Sequence, residues 1–548
     1  MGICFPMTNR REDAENVVKA ARYSPAGERY WGPFCAPLRW GLTMREYLNT
    51  ADDEVLAVGV IEHIDYLLGP GPVSWLCPCA SGTDVGENVS ASKAGRVAPA
   101  AVESIASESE TGIWRRARMT GSACESPDLK MQGQGNVAQC DSREATVALR
   151  ISVVGGGLGG LAAALFLRKA GLDATVYEQM PELREVGAGI VIPPNMVRPL
   201  RSLGVADELQ SFAVRLEAAW EFRRWEDGQV LFVQAMGDEC QRLYGTQCYV
   251  AHRADLLALF RRALPVQAIQ LDHRYVELRQ GGNGAELTFA HRDGQQTKVT
   301  ADVVIGADGI HSLVREAIVS QTDVRFSGLC AYRCLVPAEK APSMALRPVQ
   351  TLWLGPCRHF VHYPISGGRL VNVVAITPAG DWRTESWTAD GQISSLLAEF
   401  EHWDKRLGRL IASATATKRW ALYDRDPLER WTAGCVGLLG DAAHPMLPFL
   451  AQGAAQAIED AAVLAACLRD TDRGSVAQAL RRYEAIRRPR ASQVQIMSRG
   501  REVRNHLPDG TEQQKRDSEF ATSDPLRQSA WLYGHDIKNE YCKTSVQP

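Results

Sequence analysis

The sequence predicts an α/β protein built around one Rossmann-like βαβ unit and joined to a second, sheet-rich layer. Three observations lead there. ISVVGGGLGGLAAALFLRKAGLDATVYE at 151–178 reads as strand, glycine turn, helix and second strand. Two further apolar segments, VVIGADG at 303–309 and VGLLGD at 436–441, each end in a turn holding glycine and aspartate. Around and between them lie short apolar runs separated by turn residues, the pattern of strands in a sheet.

In the first unit, the strand Ile151–Val154 ends at Gly155, and Gly155, Gly157 and Gly160 fit G-x-G-x-x-G. The first glycine permits the tight turn, the second lets backbone approach a pyrophosphate, and the third lets helix pack on strand. The free N–H groups and positive end of the helix dipole then favour phosphate. The second strand, Ala174–Tyr177, ends in Glu178, an acid placed to accept hydrogen bonds from an adenosine ribose. This unit implies a dinucleotide without naming it.

The later segments narrow the choice. In DVVIGADGIHSLVR at 302–315, the strand Val303–Ile305 ends in a loop holding Asp308, and a helix is expected to follow. In 436–466 a strand ends at Gly440 and Asp441, and Pro445 and Pro448 stiffen the connection to a long helix. Asp441 is placed to grip a polyol hydroxyl. Gln452, Gly453 and Ala454 open that helix, so their N–H groups can face the electron-rich edge of a reduced flavin. Each Gly–Asp pair alone could be a strand-end turn, but both in order after a βαβ unit indicate FAD. A hairpin is expected where Ala218–Arg224 and Gln229–Val233 flank Asp227–Gly228. Further strands are expected at Gln350–Leu354, Phe360–Pro364 and Leu370–Thr377.

Over roughly residues 148–536 the chain resembles the single-component FAD-dependent aromatic hydroxylases of the p-hydroxybenzoate hydroxylase fold. It is most similar to their salicylate hydroxylase and 6-hydroxynicotinate 3-monooxygenase group, with its fungal secondary-metabolism relatives. The motifs are GGGLGG at 155–160, GAGIVIPPN at 187–195, HRADL at 252–256, GADGIHSLVR at 306–315, GDAAHPMLPFLAQGAAQAIEDA at 440–461, RRPRASQVQ at 487–495 and WLYGHD at 531–536. The resemblance implies a GR2-type FAD-binding domain with an interleaved substrate sheet. NAD(P)H would reduce FAD without a nucleotide domain of its own. O2 would then form a flavin C4a-hydroperoxide that hydroxylates an aromatic ring, with or without decarboxylation.

By the same resemblance, Glu178 would bind the ribose and Arg253 would hold FAD from the HRADL helix. Asp308 would brace the loop shared by FAD and the visiting nicotinamide. Asp441 would bind the ribityl or pyrophosphate region, and Val191, Gly453 and Ala454 would offer backbone near the flavin. Arg333 in GLCAYRCLVP and Tyr363 in RHFVHYPI match residues that bind and activate a phenol. His359, four residues before Tyr363, matches a pocket histidine able to take or relay a proton. Read without the resemblance, these three could be an ion-pair partner, a sheet aromatic and a solvent-facing strand residue. Val191 stands where hydroxynicotinate enzymes carry histidine, which argues for a different substrate. His444 and Cys435 read as packing residues.

Composition excludes some classes. The 61 lysines and arginines balance 64 aspartates and glutamates, leaving no polybasic footprint for nucleic acid or an anionic membrane. The apolar stretch 55–76 is broken by Glu62, His63 and Asp65, and Met1–Arg11 lacks the pattern of a targeting leader. The 14 cysteines have no repeated spacing, as in a reduced cytoplasmic protein. Cys77 and Cys79 lack the partners of a zinc site, so no metal is expected.

The organisation expected is a fragment at 1–77, a low-complexity linker at 78–146, an FAD-binding domain at 147–325 and 425–505 with substrate-covering strands near 215–250, a substrate sheet at 326–424, and an extension at 506–548. Residues 1–75 resemble part of an HpcH/HpaI metal-dependent aldolase, Glu62 matching a metal ligand. Such a barrel needs about 250 residues, and the other catalytic positions have no counterpart, so a truncated, non-catalytic segment is expected. The alternatives are an epoxidase of an isoprenoid olefin on the same flavin frame, a bifunctional protein with aldolase activity, and a flavin- or nucleotide-sensing module.

Overall fold

The computed structural model describes residues 2–5, 56–59, 149–183, 188–282, 284–319, 323–386 and 389–544. The chain divides into two units, Met1–Ser142 and Arg143–Pro548. In the first, Gly2–Phe5 and Leu56–Gly59 pair as parallel strands with Gly2 opposite Leu56. Glu62, Cys77, Cys79 and residues 78–146 lie outside the described residues.

The second unit begins with β1 (Arg150–Val154), α1 (Leu158–Lys169) and β2 (Asp173–Tyr177). There follow β3 (Gly189–Ile192), β4 (Ala218–Arg224), β5 (Val230–Ala235), β6 (Tyr249–His252) and α2 (Arg253–Ala263). Strands β7 (Val303–Gly306), β8 (Arg325–Pro337), β9 (Val349–Gly355), β10 (Arg358–Ile365), β11 (Leu370–Pro378), β12 (Thr417–Asp424) and β13 (Val436–Leu438) come next. Helices α3 (Gly453–Leu468) and α4 (Val476–Asn505) complete the elements that build the site.

Helix α1 forms because LGGLAAALFLRK has no β-branched residue and is rich in alanine and leucine. It stops at Gly171, whose φ of +85° is accessible to glycine without strain. Strands β2, β1, β7 and β13 lie side by side and parallel. They are buried by Val153, Val176, Val304, Ile305 and Leu438. Val154 is opposite Tyr177 and Gly306, and Gly306 is opposite Leu438. Parallel strands in that register must end at one edge, so all three glycine-bearing loops leave the sheet together, where α/β sheets bind ligands.

The helix expected after Gly309 is instead a single 3-10 turn, Val314–Ala317. Side chains take the backbone groups that a longer helix would use. Asp308 Oδ2 accepts from the N–H groups of Leu313 and Val314, at 2.9 and 3.1 Å, and Ser312 Oγ accepts from Arg315 N. Arg315 donates to the carbonyls of Ile310 and Ala442, which ties the Asp308 loop to the Asp441 loop.

The second layer is an eight-stranded sheet with the order Asp390–Gly391, β12, β8, β11, β10, β9, β4, β5. The hairpin β4–β5 turns at Asp227–Gly228, where Gly228 has φ +70° and Asp227 accepts from Gln229 N. The second strand runs Val230–Ala235, beyond the expected Val233, and its pairing shifts register between Ala218 and Trp220 and between Phe222 and Arg223. Because side chains alternate across a strand, the face of β8 bearing Arg333 continues through Val374 of β11 to Val361 of β10. Among the described residues no helix is long and apolar enough to cross a membrane.

Candidate active site

The loop edge of the parallel sheet and the Arg333 face of the second sheet enclose a cavity of about 620 Å³. The three glycines of the first loop play separate steric parts. A Cβ on Gly155, whose φ is +109°, would come within 2.4 Å of Ala307 O, and one on Gly160 within 2.0 Å of Gly155 O. A Cβ on Gly157 would meet nothing within 4 Å, and Gly157 lines the cavity. The backbone is therefore open to a ligand at that one position. Helix α1 starts there with no side-chain cap and no acid in its first turn, which suits an anion. Glu178 stands behind the loop, accepting from Gly156 N at 2.6 Å and Met180 N at 2.9 Å.

Helix α3 presents a second uncapped N-terminus, with Gln452, Gly453 and Ala454 on the cavity wall. Asp441 opens into the same space, its carboxylate 3.9 Å from where a Cβ on Gly453 would stand. Enclosure in the cavity raises its carboxyl above the ordinary range, against the opposing charges of His444 and Arg253. Asp308 is also raised by burial, and its Oδ1 has no hydrogen bond among the described residues. Arg253, at the start of α2, lines the cavity and donates its backbone N–H to Ala188 O at 2.9 Å. Two helix N-termini, an open glycine backbone and two carboxylates along one trough fit a long ligand with a phosphate centre, hydroxyls and an electron-rich ring edge.

The opposite wall is made by the second sheet. His359, Val361 and Tyr363 alternate along β10 and all face the cavity, as do Gln350 and Leu352 of β9, Val374 and Ile376 of β11, and Trp420 of β12. Tyr363 is 4% exposed, and burial raises its phenol while the charge of Arg333 opposes the shift. The Arg333 guanidinium lies 4.1 Å from the centre of the Trp420 ring. Its planar charge thus lies over an aromatic face, a cation–π contact that fixes its orientation. His359 is also 4% exposed, so the solvent-facing alternative is wrong. Burial, with the neighbouring His506, lowers its imidazole well below the usual value. Val191 of β3 lines the same cavity, and Gly189 N donates to Asn372 Oδ1 at 2.7 Å.

Sequence reasoning missed several of these positions. Gln350 is, with Thr351, a buried polar residue in the mostly apolar VQTLWLG, and its Oε1 has no hydrogen bond among the described residues. A polar residue in an apolar strand was the available signal. His506 gave none. His444 is buried with its ring 5.1 Å from that of Trp431, and its Nε2 also meets Asp460 Oδ2 at 2.6 Å. Asp460 also takes Arg487, while Glu459 takes Arg487 and Arg490 at 2.7 and 2.8 Å. Asn195 links this buried set to Gln452 at the mouth of α3.

The WLYGHD stretch rests on the same network. Arg490 donates to the carbonyls of Trp531 and Leu532, and Arg198 to those of Tyr533 and His535. The Tyr533 hydroxyl in turn accepts from Trp220 Nε1 at 3.1 Å, supporting a wall of the cavity.

Comparison with known proteins agrees with this geometry. Residues 148–498 match the family model described as an FAD binding domain. The chain is 43% identical over 387 residues to the 3-amino-4-hydroxybenzoate 2-monooxygenase of Streptomyces cremeus, covering 70% of this chain and 95% of that protein. It is 36% identical over 352 residues to the 6-hydroxynicotinate 3-monooxygenase of Pseudomonas fluorescens, covering 64% and 90%. A solved salicylate hydroxylase substrate complex superposes with a TM-score of 0.61 at 27% identity, covering 73% of this chain and 98% of that one. The open glycine backbone, the paired helix N-termini and the family match lead to one conclusion: the chain belongs to the FAD-binding-domain family and is an FAD-dependent aromatic monooxygenase of the p-hydroxybenzoate hydroxylase fold.

Proposed function

We propose that the enzyme uses NAD(P)H and O2 to hydroxylate a phenol carrying a small polar substituent, in the cytoplasm. The observation that carries this reading is the convergence of Arg333, His359, Tyr363 and Gln350 on the sheet wall of the cavity, where Leu352, Val361, Val374, Ile376 and Trp420 lie among them. An apolar slot with a few placed polar groups suits an aromatic ring and fixes its orientation. The seven free cysteines among the described residues accord with a reducing compartment.

In this reading Gly157 and the start of α1 hold the FAD pyrophosphate, with Gly155 and Gly160 shaping the turn. Glu178 takes the ribose once its carboxylate exchanges the N–H groups of Gly156 and Met180 for hydroxyls. Asp308 and Arg253 border the cofactor, Asp441 takes its polyol, and Val191, Gly453 and Ala454 supply backbone near the ring. When bound, FAD supplies the redox chemistry that activates O2.

The protein's own residues prepare the substrate. Arg333 stabilises the phenolate oxygen, since a fixed cation in a water-poor cavity favours the charged form. Tyr363 donates a hydrogen bond to that oxygen, and His359 takes the departing proton. Gln350 accepts from an amino or hydroxyl substituent, or donates to a carboxylate, and so selects among ring positions.

The test is direct. The purified full chain should be yellow, and a panel of phenols beginning with 3-amino-4-hydroxybenzoate should accelerate NAD(P)H oxidation and yield a product one oxygen atom heavier. Colourless protein that takes up no FAD would overturn the cofactor assignment. Flavoprotein that oxygenates only an isoprenoid olefin would make it an epoxidase.

A further inference from the structure

His359 does not stand alone on the cavity wall. Its Nδ1 lies 2.6 Å from Nε2 of His506, a hydrogen bond between two imidazoles 147 residues apart in the chain. The rings stack at 4.9 Å between centres with 27° between planes. His359 faces the cavity and is buried, whereas His506, just beyond the last residue of α4, is partly exposed. Among the described residues, neither His359 Nε2 nor His506 Nδ1 has a hydrogen-bond partner. The two outer nitrogens are thus free, one on each side of a single short bond.

The pair is held firmly. His506 donates its backbone N–H to Val503 O at 3.2 Å, and its carbonyl accepts from Cys357 N at 3.1 Å. Phe449 meets both imidazoles edge-on, at 5.6 Å from His359 and 5.7 Å from His506.

We propose that His506 is the outer half of a two-imidazole relay that carries the phenol proton from the cavity to solvent, a proposal that rests on the phenol-hydroxylating reading above. The phenol O–H bond breaks and its proton passes to His359 Nε2. The Nδ1 proton of His359 moves to Nε2 of His506, and the Nδ1 proton of His506 goes to water. The phenol oxygen keeps the electron pair and remains as phenolate beside Arg333. When product takes its proton back on leaving, the reverse transfers restore both tautomers. Burial keeps both imidazoles neutral near pH 7, the His506 value being lowered to about 4, so each can accept and pass a proton without holding it.

His506 is a positioning and relay residue, not one that touches substrate, and the test must separate those roles. FAD-loaded full chain is mixed rapidly with 3-amino-4-hydroxybenzoate in weak buffer containing a pH indicator, and proton release is followed beside the flavin absorbance change that reports binding. His506→Gln keeps a hydrogen-bonding group where Nε2 stands but cannot pass a proton. Proton release should slow about a hundredfold in His506→Gln and His506→Ala alike, with substrate affinity unchanged, and added imidazole should speed it in His506→Ala. Wild-type release rates in His506→Gln would overturn the relay and leave a structural role. So would wild-type protein that hydroxylates the probe with no proton released on binding. Wild-type protein that neither binds nor oxygenates any phenol overturns the function itself, a result distinguishable from both.

Discussion

Gly189 lies so close to Tyr363 that a Cβ added to it would stand 2.6 Å from a ring carbon and 2.7 Å from the hydroxyl, and 2.5 Å from Asn372, the residue paired with Tyr363 on the next strand. Strand β3, which carries Val191, is thereby seated directly against the substrate wall. One glycine sets the spacing between the two halves of the site.

Gly189→Ala should therefore displace Tyr363 and cost about 1–3 kcal/mol of stability through overpacking. Hydroxylation should fall at least as far as in Tyr363→Phe, and Tyr363→Phe should not rescue it, since the ring carbon remains in the way. Thermal unfolding and steady-state turnover of the three variants check this. Full activity in Gly189→Ala would show that the wall can give.

Arg333→Ala and Tyr363→Phe should each lower kcat/KM for a phenol by about a hundredfold while FAD remains bound. Arg333→Lys should recover little, because an ammonium cannot reproduce the planar stack on Trp420. Flavin fluorescence reports cofactor retention in the same samples.

Removing the amide of Gln350 should change selectivity more than rate. Gln350→Leu should raise KM about tenfold for a phenol bearing an amino or carboxylate substituent and leave unsubstituted phenol little affected. Competition between two such phenols, read by product mass, measures the ratio.

Glu459 anchors the buried ionic network, and its removal should be felt as stability. Burial alone would raise its carboxyl, but Arg487 and Arg490 hold it at about 2 instead of the ordinary 4.5. A depressed folded value stabilises fully above about pH 4.5, and that stabilisation is lost as pH falls towards about 2. Glu459→Gln should cost about 3–5 kcal/mol near neutral pH, with the gap to wild type narrowing below pH 4.5. Urea unfolding across that range measures it, and a gap that stays constant in acid would mean the pair is not the source.

How much was legible depended on how local each feature is. The glycine loop, the Asp227–Gly228 hairpin and the start of α3 depend on neighbouring residues, so composition and spacing reveal them. The short turn after Gly309 was misread as a helix because the side chains that consume its backbone groups include Arg315, whose second acceptor, Ala442 O, is 127 residues away. The polar partner of His444 was not legible for a related reason. That partner, Asp460, is 16 residues further on, and no pattern in GDAAHPM marks a histidine paired with a helix it packs against.

By itself the sequence determined the βαβ unit, the two further glycine and aspartate turns and five strands of the second layer, though not Arg325–Pro337 or Thr417–Asp424. The features it determined follow from hydrophobic period and turn chemistry within short windows. Only the tertiary structure decided that three loops end at one edge, that Arg333, His359, Tyr363 and Gln350 share one cavity, and that His506 stands behind His359. Those facts arise from parallel register and from the alternation of side chains across paired strands. Contacts across more than a hundred residues leave no periodic trace along the chain that makes them.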